Sequence, residues 1–324
     1  MATYKGISGF NIKSLATDPS NLLEGEIWYN STSGTLKVSP LVAGSWASGG
    51  NLTTARRNLG GAGTHGAALA IGGEAPQTGK TESYDGSTWS EVGDLNTARN
   101  TLGATGTQTA AIAFGGESVT TATETWDGSS WTTSPNSLNT AVRSNAGFGT
   151  TAAAVAFGGI TSPGARTTVT ETWNGSAWAT SPNSLPAATA NMGGFGISTA
   201  GVECSGEGAP GKTAVTNEWD GSAWGSGGAM ITARSRMGAG IGTQTDGVVA
   251  GGDIPAITAT AEIYNGTTWA ATGSLGTARG SLAGLGPSSV SSDGLVSGGY
   301  DGSDTNATEE FTGAAATAQT ITTS

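Results

Sequence analysis

Six tryptophans, Trp46, Trp89, Trp131, Trp178, Trp224 and Trp269, recur 42 to 47 residues apart along the 324-residue chain. A period of this size marks a repeat architecture. One unit cannot bury its apolar face alone, so neighbouring units must stack on one another. Upstream of each later tryptophan stands a second aromatic: Tyr84, Trp126, Trp173, Trp219 and Tyr264, with Phe311 in the last copy. Before these come glycines that close a short apolar run, ending at Gly73, Gly116, Gly159, Gly206, Gly252 and Gly299. The residue before each is also glycine, except Ser205 in the fourth copy.

Residues 90–131 show the unit most clearly. NTLGATG, AAIAF, TETW and SSWTT read as four short strands. Between the third and fourth lies Asp127-Gly128, repeated as Asp85-Gly86, Asn174-Gly175, Asp220-Gly221 and Asn265-Gly266. Such dipeptides predict tight type I′ hairpins. Thr312-Gly313 is a weaker version in the sixth copy. The first strand of each copy is built from small residues, which suits strands converging on an axis. The large aromatics then fall on the outer strands, where sheets pack face to face.

Trp46 has a fourth strand's surroundings but no preceding three strands, and the sixth copy reaches Phe311 without a following tryptophan. The expectation is therefore an all-β, six-bladed β-propeller over residues 43–324. It would be closed by the N-terminal strand around Trp46, with the tail at 317–323 as the competing source of that strand. Residues 1–42 do not repeat. In them, 24–38 reads as a β-hairpin, preceded by a turn at Asp18-Pro19.

A TAR-like motif opens most copies, giving Arg56, Arg99, Arg143, Arg234 and Arg279; the fourth copy has Ala190. Two residues before the third-strand aromatic stand Glu82, Glu124, Glu171, Glu262 and Glu309, and the fourth copy has Asn217. Presence together in five copies and absence together in one predicts that arginine and glutamate meet, within a sheet or between neighbours. A guanidinium fork suits a carboxylate. These ten residues and the six tryptophans are assigned structural roles.

Chemistry-bearing residues are few. A net charge of −11 with only 13 Lys and Arg disfavours nucleic acid and polyanions. One cysteine, Cys204, excludes an internal disulfide, and one histidine, His65, is too little for a typical zinc site. His65 reads as a loop substitution and Cys204 as a small buried residue. No catalytic residue, metal site or cofactor is expected. The start, MATYKGISGF, lacks a secretory pattern, and no stretch reaches the ~18 apolar residues of a membrane span.

EGEIWYNSTSGTLKV at 24–38 resembles a short module of tail-fibre and other virion proteins of marine phages. LNTAR, GTQTAAIAFGGE and TETWDGSSW resemble the kelch-like arrays of the same bacteriophages, especially cyanophages. The resemblance implies a kelch-repeat virion structural protein, made in the host cytoplasm. It would be a tail fibre or adhesin for host attachment, or a tail or capsid adaptor. Residues 1–42 would dock to other virion proteins, and the chain would form a homo-oligomer on the particle. A host-surface glycan or protein would meet the loops 74–80, 160–167, 207–213 and 300–306, which follow the second strand of their copies. The alternative is a polysaccharide-degrading enzyme with two carboxylates on one face.

Overall fold

The computed structural model describes residues 12–18, 27–38, 44–74, 76–237, 240–285, 293–313 and 319–321. Every regular element among them is a β-strand. The chain divides into two compact units, Ser45–Thr312 and Met1–Gly44 with Gly313–Ser324. The expected boundary after residue 42 shifts slightly, and the C-terminal segment groups with the N-terminal one.

The larger unit is propeller-like and contains six four-stranded antiparallel sheets. Sheet I comprises Gly60–Thr64, Ala67–Ile71, Thr81–Tyr84 and Trp89–Glu91. Sheet II comprises Gly103–Thr107, Ala110–Phe114, Thr123–Trp126 and Trp131–Thr133. Sheet III runs Ala146–Gly149, Ala154–Phe157, Thr170–Trp173 and Trp178–Thr180. Sheet IV runs Gly193–Ile197, Ala200–Cys204, Thr216–Trp219 and Trp224–Ser226. Sheet V runs Ile241–Thr243, Asp246–Ala250, Ala261–Tyr264 and Trp269–Thr272. Sheet VI takes Ala283–Leu285, Asp293–Ser297 and Thr308–Thr312 from the end of the repeat array. Its fourth strand is Ser45–Ser48, which places Trp46 opposite Phe311. The tail strand Gln319–Thr320 pairs instead with Thr35–Val38.

The hairpins between third and fourth strands are four residues long, not two. Tyr84 pairs with Trp89, and Asp85 to Thr88 form the link. Asp85 Oδ1 accepts the amides of Ser87 and Thr88 at 2.9 and 2.8 Å. The side chain takes over the turn's acceptor role, so only Gly86 needs a positive φ, at 92°. Those amide bonds hold the Asp85 carboxyl well below its usual range, and the matching turn at Asp127 brings that group to about 2. Thr312-Gly313 forms no such hairpin, because the fourth strand of sheet VI comes from the other end of the chain.

The core lies between sheets. Each of its six clusters joins two neighbours in the order I–II, II–III, III–IV, IV–V, V–VI and VI–I. Apolar area buried there stabilises at roughly 25 cal/mol per Å². Cross-strand aromatic pairs such as Tyr84–Trp89 sit with centroids 4.9 Å apart. At some inner-strand positions the neighbouring backbone leaves no room for a side chain: a Cβ on Gly61 would lie 2.5 Å from the carbonyl oxygen of Gly284 in sheet VI. The first strands nevertheless also hold buried Phe148 and Phe195, large aromatics that the sequence pattern assigns to the outer strands.

Indole hydrogen bonds tie one sheet to the next. Trp131 donates to the Thr81 hydroxyl at 2.9 Å, Trp178 to Thr123 at 3.0 Å, and Trp224 to Thr170 at 2.9 Å. Trp269 donates to Thr216, and Trp89 reaches Thr308 of sheet VI. For Trp46 the equivalent neighbour is Ala261, which has no hydroxyl, and the buried Trp46 Nε1 has no partner among the described residues.

In the smaller unit, Lys13–Leu15, Ile27–Asn30, Thr35–Val38 and Gln319–Thr320 form one mixed sheet, parallel only at its first pair. The turn at Ser31–Gly34 is held by Asn30 Oδ1, which accepts the Thr32 and Ser33 amides. Asp18 accepts from Trp28 Nε1 and Asn30 Nδ2 at 3.0 and 2.7 Å, while Pro19 lies outside the described residues. Residues 24–26 of the expected hairpin also fall outside them.

Candidate functional site

Four of the sequence-singled arginines lie against glutamates of their own sheet. Arg56–Glu82, Arg99–Glu124 and Arg279–Glu309 approach to 3.3, 3.0 and 2.9 Å, and Arg234–Glu262 to 2.5 Å, all with buried side chains. Burial lowers the basicity of Arg56, Arg99 and Arg279, against the opposing pull of their glutamates. Each arginine also donates to backbone carbonyls, as Arg99 Nη1 does to Ala122 at 3.0 Å. Each glutamate accepts an amide of the incoming linker, as Glu124 does from Asn96 at 2.7 Å. The pair pins the linker to its sheet.

The third repeat departs from the expectation. Arg143 does not meet Glu171; its position in that hydrogen-bond frame belongs to Val142, whose carbonyl accepts from Gly116 as that of Arg99 does from Gly73. Val142 stands four residues after Leu138, as Arg99 does after Leu95, so the arginine falls one position past the slot, half-exposed, and pairs with Glu117 at 3.2 Å. Glu171 is held by Asn139 and Thr140 instead. In the fourth repeat the arginine position is Thr189, not Ala190, as its carbonyl's bond from Gly159 shows. There a carboxylate appears on the second strand. Glu203 lies opposite Asn217, accepts its amide at 2.7 Å and is almost fully buried with no cation. Burial pushes the Glu203 carboxyl up to about 8, against the Asn217 hydrogen bond. The sequence signal for it was a charged residue in GVECSG, where the other repeats carry alanine or valine.

His65 reaches out of sheet I to Asp293 at 2.9 Å and Glu310 at 3.2 Å, both in sheet VI. Glu310 also accepts the Tyr84 hydroxyl at 2.5 Å. Burial, then the bond to Glu310, raises Tyr84 to about 12. His65 thus fastens the junction of the first and last sheets. Cys204 is fully buried, and burial pushes its thiol well up. Among the described residues no group of three or more His, Cys, Asp or Glu is arranged to hold a metal ion.

The feature the sequence did not disclose is axial. Asn58, Thr101, Ser144, Asn191, Arg236 and Ser281 stand at one position in the six repeats, each with φ of 52–56°. Their backbones form a cycle. The Thr101 amide donates to Asn58, Ser144 to Thr101, Asn191 to Ser144, Arg236 to Asn191, Ser281 to Arg236 and Asn58 to Ser281, at 2.6–3.0 Å. On one side of this cycle is a small chamber of about 90 Å³ lined by the first strands. On the other side opens a cavity of about 1000 Å³.

That cavity is walled by the residues that follow the second strands: Glu74, Glu117, Ile160, Glu207, Asp253 and Tyr300. All six directly follow the glycines, and four of them, Glu74, Ile160, Glu207 and Tyr300, open the loops 74–80, 160–167, 207–213 and 300–306. Arg57, Arg143 and Arg236 interleave with them. Arg57 contacts Glu74 and Asp304 at 3.4 Å each. Arg236 lies 4.0 Å from Glu207 and 3.6 Å from Asp253. Hydrogen bonds from Arg57 and Asn58 hold the Glu74 carboxyl below its usual range. The Arg57 guanidinium sits over the Tyr300 ring, 5.1 Å from its centroid. A cavity of this size with convergent polar groups has the dimensions of a small-ligand site.

Comparison with protein-family models and with curated proteins gives no match.

Proposed function

We propose that the six sheets are the blades of one closed, kelch-like six-bladed β-propeller, and that the chain is a non-enzymatic structural protein of a phage virion. Its axial cavity faces outward and binds a host-surface or virion partner, as a tail fibre or adhesin or as a tail or capsid adaptor. The unit holding Met1–Gly44 docks it to other virion proteins. Ring closure is supported by the six-membered backbone cycle and by core clusters joining each sheet to the next, sheet VI to sheet I included.

The observation that carries the binding role is the state of the cavity's carboxylates. A glycosidase needs one carboxyl raised to serve as acid beside a free carboxylate. Here each acidic wall residue meets an arginine, and Glu74 is held down rather than raised. That arrangement favours recognition over hydrolysis. Immunogold labelling of intact virions with antibody to this chain tests the proposal. Gold on particles is the expected result; its absence from particles that carry the gene overturns it.

A further inference from the structure

The backbone cycle orders the cavity wall. Ser144 and Ser281 are three steps apart in it, so Ile160, which pairs with Arg143, and Tyr300, which pairs with Gly280, stand on opposite sides of the axis. They are the two wall positions of this set without a carboxylate. Between them on one side lie Glu74 and Glu117 with Arg57 and Arg143, and on the other Glu207 and Asp253 with Arg236. Ile160 and Tyr300 therefore face each other across the cavity, flanked by two walls of guanidinium–carboxylate pairs that also carry Pro76 and Ile257.

We infer that this cavity takes a neutral, polyhydroxylated ligand, a saccharide chain or its end, lying along the Ile160–Tyr300 line. The inference rests on the closed-ring reading above and deepens it. Pyranose rings have apolar faces and hydroxyl edges. The half-exposed Tyr300 ring, which carries the Arg57 guanidinium over one face, offers its remaining exposed surface as a platform for a sugar face. The flanking pairs offer donors and acceptors side by side, which is what vicinal hydroxyls require. A charged ligand fits less well. The three arginines and four carboxylates of the wall nearly balance and already engage one another, so an anion or a cation would have to break pairs to be met. A protein partner would need a broader and more continuous apolar centre than Pro76, Ile160, Ile257 and Tyr300, separated by charged pairs, provide.

The purified full-length chain is tested by saturation-transfer NMR and calorimetry. The neutral probes are maltohexaose, cellohexaose, xylohexaose, mannohexaose and a rhamnose trisaccharide. The anionic probes are sialyllactose, a heparin hexasaccharide and oligogalacturonate. Binding of at least one neutral probe is expected. Tyr300→Ala should weaken it about ten-fold or more, the scale of one lost ring platform. Thr132→Ala, exposed on the outer strand of sheet II, should leave it unchanged. If Tyr300→Ala does not fold by thermal melt, Glu207→Gln takes its place with the same expected loss. Binding of anionic probes alone, neutral binding indifferent to these variants, or no binding by any probe overturns the inference. Virion labelling together with absent saccharide binding would remove this inference and leave the virion role standing. Saccharide binding by a chain absent from virions would do the reverse.

Discussion

Replacing Ala261 by threonine should make this protein more stable. Five of the six outer tryptophans donate to a threonine hydroxyl on the neighbouring sheet at 2.9–3.0 Å. Trp46 packs against the same cluster as Ala261 and leaves a buried indole N–H unpaired. An unsatisfied buried donor costs about 1–3 kcal/mol, and a hydrogen bond returns about 0.5–1.5 kcal/mol net. The hydroxyl supplied by Ala261→Thr should therefore add about 1–2 kcal/mol, a rise of roughly 2–6 °C in melting temperature for a chain of this size. Ala261→Val is the control, with the same shape and no acceptor. Thermal and urea unfolding of parent and both variants measure the difference. If threonine is no more stable than valine, the indole–hydroxyl bond is not what links these sheets.

Arg99→Met should cost about 3–5 kcal/mol in urea unfolding, because Glu124 is left buried without its cation; Arg143→Met, at a half-exposed pair, should change stability by less than about 1 kcal/mol. Burial raises the Glu203 carboxyl to about 8 in the folded chain, above the 4.5 of a free glutamate, so below pH 4.5 it is neutral in both states and imposes no charge-burial cost. Stability is then lost as pH rises between the two, at about 1.4 kcal/mol per pH unit. Glu203→Gln should flatten that slope in melts between pH 5 and 9 and be the more stable protein at pH 9. Thr101 holds φ of 52°, unfavourable for a β-branched residue, so Thr101→Asn should keep the backbone cycle and raise stability by about 1 kcal/mol in the same assay.

The repeat, its four strands and the small inner residues were legible because they recur, and recurrence survives drift in any one copy. The arginine–glutamate pairs were legible for the same reason, but only in the four copies whose arginine occupies the slot. The slot is four residues past a buried leucine or methionine, where the third copy has Val142 and the fourth Thr189; Arg143 stands one residue beyond it. Glu203 was hidden because its partner lies across a strand ladder. The cavity was hidden for a deeper reason. Its wall is made of Glu74, Glu117, Ile160, Glu207, Asp253 and Tyr300, positions that vary while the scaffold around them repeats. The sequence marked four of them only as the first residues of loops, and the backbone cycle brings all six to one cavity.

The cavity exists only if the ring is closed, and the seam in sheet VI is where closure can be measured. Ser45 and Thr312 face each other across it, at the two ends of the repeat array. A Ser45→Cys, Thr312→Cys variant should form an intramolecular cross-link under mild oxidation. It should appear as a fast-migrating monomer in non-reducing gels and as one linked peptide pair in mass spectrometry, with a raised melting temperature. A folded double variant that links only between chains, or not at all, would contradict the closed ring and everything built upon it.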